Sequence, residues 1–241
     1  MLSGADIALV AGAASLSALV QTVSGFGGAL VASPVFFAVL TPSQAVTIMA
    51  LLGLFQSGTV AVLSRAHIRR EGLVQIGAGA LPGLLAGAFV LRVASSAALQ
   101  LGVAAAVLVA LALRRSPQKQ LPPALPAALG LLVGTLTTSI TINGPPLVLW
   151  LRARGASPDE QRGTLAALFV FLDIASLPAL ALASVLSLPG LTISLAIGAC
   201  ASLGLILGRL LAPRVQGVLF DRLVVTILLF AVVQSVRSAL F

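Results

Sequence analysis

Two short stretches concentrate the groups that could bind a ligand. Ser24-Gly25-Phe26-Gly27-Gly28 interrupts an apolar run from 5 to 40, just after Gln21 and Thr22. Asn143-Gly144-Pro145-Pro146 interrupts a second run, 124–151, and follows Thr137, Thr138, Ser139 and Thr141. Glycine and paired prolines break a helix because they withdraw packing, fix φ and remove backbone donors. In lipid, exposed backbone N–H and C=O groups survive only where protein or a polar cavity satisfies them. Each break is followed by a short helical stretch, starting near Gly27 and near Pro145. A helix N-terminus carries partial positive charge and free N–H donors. Two such ends, entering from opposite faces and meeting near the bilayer midplane, would hold a small anion without a buried arginine. No Lys or Arg lies deep in any apolar run. The expected substrate contacts are therefore Gln21, Thr22, Ser24, Gly25, Gly27 and Gly28 at the first break. At the second they are Thr138, Ser139, Thr141, Asn143, Gly144 and Pro145. The rival reading, small residues that merely let helices pack closely, suits a single motif better than polar-flanked breaks in both halves.

Asp173 is the one acid well inside an apolar run, 163–182. Intramembrane acids are costly and commonly serve ion or proton pathways. Asp173 is thus the candidate coupling group and the proton the candidate coupling ion; an interhelical hydrogen bond is the competing role. The remaining ionisable groups read more simply. Asp6 is near an interface, His67 sits among Arg65, Arg69 and Arg70 in a loop, and Asp159-Glu160 fits a helix first turn, where acids complement the dipole. Cys200 lies in an apolar run, the habit of a core cysteine, and a lone cysteine makes no disulfide framework or thiol metal site. With His67 the sole histidine, no catalytic triad, metal-ligand spacing or acid cluster is present. No enzyme, metal or cofactor is expected.

The elements that must position these residues follow from composition. The 241 residues are 59% hydrophobic and 8% charged, with a mean hydropathy of +1.14. Globular domains carry about a quarter charged residues, and a crossing helix needs roughly 20 apolar ones. An all-α, multi-pass integral membrane protein follows. Clear apolar runs are 5–24, 43–64, 72–91, 97–114, 124–142, 163–182, 189–211 and 218–240. Residues 1–9 lack the basic start of a cleaved signal, so the first run reads as a retained helix. A net charge of +8 could mean nucleic acid in a soluble protein, but the basic residues lie in short loops and stacking aromatics are scarce, with no Tyr and one Trp. No nucleic-acid partner is expected; the bilayer and a small anion are, and a homo-oligomer is left open.

The positive-inside rule decides whether each break is a kink or a hairpin. As hairpins, they put Arg65, Arg69, Arg70, Arg114, Arg115, Lys119, Arg152, Arg154, Arg162, Arg209, Arg214 and Arg222 on one side and only Arg92 and Arg237 on the other. As kinks, they divide the same residues evenly. Hairpins are favoured, with the basic loops cytoplasmic, both termini outside, and the cell (inner) membrane as the location. The halves also match. An offset of 116 pairs Thr22 with Thr138, Gly28 with Gly144, Pro42 with Pro158 and Ser57 with Asp173; an offset of 121 pairs Gly83 with Gly204 and Gly87 with Gly208. Gly79, Gly83 and Gly87, like Gly204 and Gly208, read as packing faces. The expected architecture is two inverted repeats, 1–116 and 117–241, each a broken helical hairpin plus three transmembrane helices. Many secondary transporters share that plan.

Ser24-Gly25-Phe26-Gly27-Gly28, Pro34, Asn143-Gly144-Pro145-Pro146-Leu147 and the duplicated halves resemble the TauE/SafE family, the sulfite exporter or toluenesulfonate uptake permease group. The resemblance covers essentially the whole chain, although Ala29 stands where the family often has a third glycine. It implies transport of sulfite, sulfonates or another sulfur-containing organic anion. The residues themselves point to a small anion moved by alternating access. An anion channel with re-entrant hairpins is the alternative. The chain has no nucleotide-binding P-loop, so primary pumping would need a partner.

Overall fold

The computed structural model describes residues 3–113 and 125–211, together with Val233. The described residues are helical, without strands. They form α1 (Gly4–Ser24), α2 (Gly28–Val39), α3 (Pro42–Leu63), α4 (Leu73–Val93), α5 (Ser96–Leu113), α6 (Leu125–Ser139), α7 (Gly144–Ala153), α8 (Pro158–Leu182) and α9 (Leu188–Leu211). Among the described residues five helices, α1, α3, α4, α8 and α9, are long and apolar enough to cross a membrane. The expected run 218–240 and the basic loop 114–123 lie outside the described residues, apart from Val233.

The chain chemistry sets the helix ends. Thr41 and Ser157 open α3 and α8 with matching capping boxes, each followed by a proline in the first turn. Thr41 Oγ1 accepts from the Gln44 N–H at 3.4 Å, and Ser157 Oγ from the Glu160 N–H at 3.3 Å. Each box satisfies two of the donors that a helix start leaves free. α1 ends on Gly25, whose φ of 78° is left-handed, and Gly27 at φ 91° precedes α2. Two such residues in three turn the chain back on itself, so Gly28 comes to rest against Ser17 and Gln21 of α1. The second break turns at Thr141, a non-glycine residue with φ 64°.

Glycines then allow backbone-to-backbone packing. Gly79, Gly83 and Gly87 of α4 lie against the carbonyls of Ala127, Leu131 and Thr135 on α6; Gly130 and Gly134 of α6 answer against Ile76 and Ala80. Gly204 and Gly208 of α9 lie against the Ser15 and Leu19 carbonyls on α1. These are the packing faces read from the glycine spacing. Between the two pairs, α3 packs on α8. One core gathers Phe36, Ile48 and Val103 around α2, α3 and α5, and another gathers Leu147, Trp150, Leu165 and Leu172 around α7 and α8. Large apolar side chains such as Val74, Phe89, Leu195 and Leu203 face outward, as a lipid-facing surface requires.

Candidate functional site

The two breaks meet. A Cβ on Gly144 would lie 3.6 Å from Phe26 Cβ. Beside this contact is a cavity of about 50 Å³. The first break contributes Gln21 and Gly27, the second Thr137, Thr141, Asn143, Gly144 and Pro145, α3 contributes Gly53, Gln56 and Ser57, and α8 contributes Phe169 and Asp173. Gly53 and Asp173 place the cavity near the middle of α3 and α8. The turn at Gly25 lies level with the second turn of α8, where it packs on Arg162.

The polar groups form a network that is nearly closed. The Gln21 amide donates from Nε2 to Ser57 Oγ at 3.3 Å, while its Oε1 accepts the Gly28 N–H at 3.2 Å. Ser17 donates to Gln56 Oε1 at 3.4 Å. Asn143 Nδ2 donates to Thr137 Oγ1 at 2.9 Å, and the hydroxyls of Ser33 and Thr141 share a hydrogen bond. One donor is left over: Gln56 is 3% exposed, and its Nε2 has no partner among the described residues. The Asp173 side chain is also without a hydrogen bond or ion pair among them. It rests against Gly53, where a Cβ would lie only 2.6 Å from Oδ2.

This arrangement changes the chemistry expected of the helix ends. At α2 the Gly28 N–H is already taken by Gln21, which leaves the N–H groups of Ala29 and Leu30, two residues that also line the cavity. At α7 the second and third residues are Pro145 and Pro146, which have no N–H, so that end offers the Gly144 N–H and little else. Side-chain amides and hydroxyls thus add to the backbone donors at the start of α2 in supplying the polarity of the cavity.

Of the expected contacts, Gln21, Gly27, Thr141, Asn143, Gly144 and Pro145 line the cavity, as does Asp173. Others stand apart from it. Thr22 donates to the Ala18 carbonyl at 2.7 Å and packs against Gly208 of α9. Thr138 donates across to the Leu84 carbonyl of α4 at 2.7 Å, and Ser139 back to Thr135 at 2.6 Å. Gly25 faces Arg162 and Gly28 faces Ser17; the side chain of Ser24, at the end of α1, lies outside the described residues. Gln56 and Gly53 are not marked by any break or motif; the signal available was a Gln-Ser pair inside the otherwise apolar run 43–64. Arg162 was legible only as a loop cation. It reaches inward to donate from Nη2 to the Val23 carbonyl at 3.1 Å, which fixes the end of α1.

A second polar cluster lies in the loops. Arg69 pairs with Glu71 at 3.5 Å and Glu160 at 3.9 Å, and donates to the Arg154 carbonyl at 3.0 Å. Arg154 pairs with Glu71 and lies 5.2 Å from the centre of the Trp150 ring. His67 is exposed beside this cluster, as a loop residue should be. No group of three or more metal-ligating side chains occurs among the described residues.

Outward-facing apolar helices around a buried polar cavity, where two broken helices meet, define a multi-pass helical membrane protein with an internal site. The chain belongs to the sulfite exporter TauE/SafE family of membrane transporters, whose family model matches residues 9–235. Neither a curated protein nor a solved structure matches it.

Proposed function

We propose that this protein is a secondary carrier of a small sulfur oxyanion, sulfite or a compact organosulfonate, held between the two breaks and moved by alternating access. The observation that carries this reading is the buried polar cavity assembled from both breaks, α3 and α8. Its volume of about 50 Å³ suits an ion of a few heavy atoms; sites for drug-sized ligands run to roughly 300 Å³ or more. Proton coupling through Asp173 completes the scheme, since it is the only titratable residue among the described residues that line the cavity.

The halves act as inverted repeats, 1–116 and 117–241, in the inner membrane with the basic loops in the cytoplasm. The glycine contacts favour this. Gly83 faces Leu131 and Gly204 faces Ser15; the glycines differ by the offset of 121 and their partners by 116. Each half's fourth helix therefore packs on the other half's first in the same register.

The test is sulfite uptake into proteoliposomes. Uptake should saturate in the wild type. It should be lost in Gly144→Val, whose side chain enters the cavity where the Gly144 Cβ direction meets only ordinary contacts at 3.6 Å. Unchanged uptake kinetics in an inserted Gly144→Val protein would overturn the assignment of the cavity.

A further inference from the structure

The cavity offers uncommitted donors, and no cation lines it among the described residues. Gln56 is buried; its Oε1 accepts from Ser17 Oγ at 3.4 Å, and its Nε2 has no partner among the described residues. A buried donor left unmatched is costly, so a ligand that brings an acceptor there is favoured. Ala29 and Leu30, at the start of α2, border the same space with their N–H groups. Asp173 lines it from α8, 7% exposed and pressed against Gly53, with no hydrogen bond or ion pair from its side chain to any described residue. Around it stand Gly53, Gln56 and Ser57 of α3, Gln21 of the first break, and Thr141 and Asn143 of the second, none of them charged or titratable. The nearest described cation on α8 is Arg162, about 16 Å along the helix axis, and it is held to the Val23 carbonyl.

An unpaired charge in such a place is expensive enough that an acid neutralises instead. Neutral, the carboxyl is an O–H donor, and an anionic oxygen is the acceptor with which it makes a strong, charge-assisted hydrogen bond. We propose that Asp173 binds the anion as a neutral acid, its O–H and Gln56 Nε2 donating to oxygens of one oxyanion, so that each singly charged anion is loaded together with one proton. The inference rests on the carrier reading above and deepens it, since the coupling group becomes a ligand of the substrate. Open to water, the carboxyl ionises. Closed around the anion it carries the proton, because the ionised form would set two like charges side by side with no cation between them. The site then holds one negative charge whether empty and ionised or loaded with anion and proton. Loading a monoanion is electroneutral; a dianion adds a second charge that nothing balances. The ligand class is therefore a compact monoanion, hydrogen sulfite or a small sulfonate, and not sulfate.

The experiment is calorimetric titration of the purified full chain with methanesulfonate and sulfate, from mildly acidic to mildly alkaline pH. Neither anion changes charge over that range, so any pH dependence belongs to the protein. The bound state needs the protonated carboxyl. Affinity should therefore be highest on the acid side and fall as pH rises through the titration of Asp173, by up to about tenfold per pH unit. Methanesulfonate should bind at least about tenfold more tightly than sulfate. Asp173→Asn keeps a neutral donor, and should bind methanesulfonate about as well as the wild type does on the acid side, without pH dependence. Gln56→Leu should weaken binding while the pH slope remains. Infrared difference spectra separate a ligand from a group that acts at a distance: methanesulfonate should shift the C=O stretch of a protonated carboxyl, and that band should be missing in Asp173→Asn. Wild-type affinity that is flat or rises with pH, or a preference for sulfate, overturns the inference, and neither result needs a variant to fold. A carboxyl band that the anion does not move, or a pH slope kept in Asp173→Asn, also overturns it. All of these leave the carrier reading standing, as does binding of sulfite where neither probe binds, which again sinks the inference. Absence of binding by all three anions at every pH overturns the inference and the carrier reading together.

Discussion

Replacing Gly53 with alanine probes the close approach of Asp173 to α3. The new Cβ would lie 2.6 Å from Oδ2 and 3.1 Å from both Cγ and Oδ1 of Asp173. The carboxylate has to move, because carbon and oxygen cannot approach so closely. Alanine gains about 0.8–1.0 kcal/mol over glycine within a helix, while overpacking a buried site costs about 1–3 kcal/mol. The net change in stability is therefore about zero to 2 kcal/mol of destabilisation, small enough to leave an inserted, folded protein. Function should suffer more than folding, since the group moved is the only titratable one among the described residues that line the cavity. The assay pairs thermal unfolding with sulfite uptake in proteoliposomes for Gly53→Ala, Asp173→Ala and the double variant. The two single changes should be non-additive in stability by about 1 kcal/mol, because the shortened side chain at 173 removes the overlap. Additive stabilities together with wild-type uptake in Gly53→Ala would refute the contact and the role built on it.

Two further outcomes follow from the same geometry. Single cysteines at Ala66 and Ile68, in a Cys200→Ser background, should resist an impermeant thiol reagent added outside cells, as expected if 65–71, 114–123, 152–162 and 212–221 face the cytoplasm; ready labelling would reject the hairpin topology. Asp173→Asn should abolish accumulation of sulfite driven by a pH gradient while downhill exchange continues, and full gradient-driven accumulation in that variant would move the coupling step elsewhere.

The breaks were readable because glycine or proline is clustered there beside polar residues, unlike the glycines spaced by four along the packing faces. The starts of α3 and α8 were readable because Thr41-Pro42 and Ser157-Pro158 carry cap chemistry in their residue types. The lining of the site was less so. Thr22 and Ser139 look like ligand contacts in sequence, but a helical hydroxyl always has a competing acceptor in the carbonyl one turn back, and both residues use it. Thr138 shares its hydroxyl between the carbonyl one turn back and one on a neighbouring helix. Helices such as α3 are apolar on every face, so no amphipathic stripe tells which side of Gln56 meets the cavity. The donors lost to Pro145 and Pro146 could have been counted from sequence alone. The capture of the Gly28 N–H by Gln21 depends on the chain doubling back, which only the fold reveals.

The glycine seams between α4 and α6 and between α1 and α9 also bear on which parts of the protein can move as rigid units. Backbones in direct contact slide poorly, because every displaced carbonyl runs into the next Cα on the facing helix. The seams join α1 to α9 and α4 to α6, across the division between the first and second halves of the chain. The mechanical blocks are therefore not the sequence halves. They are two arms, each a helix borrowed from one half and locked to a helix of the other, standing against a central spindle of α3 and α8. The described connections that tie an arm to the spindle are 64–72, between α3 and α4, and 183–187, between α8 and α9.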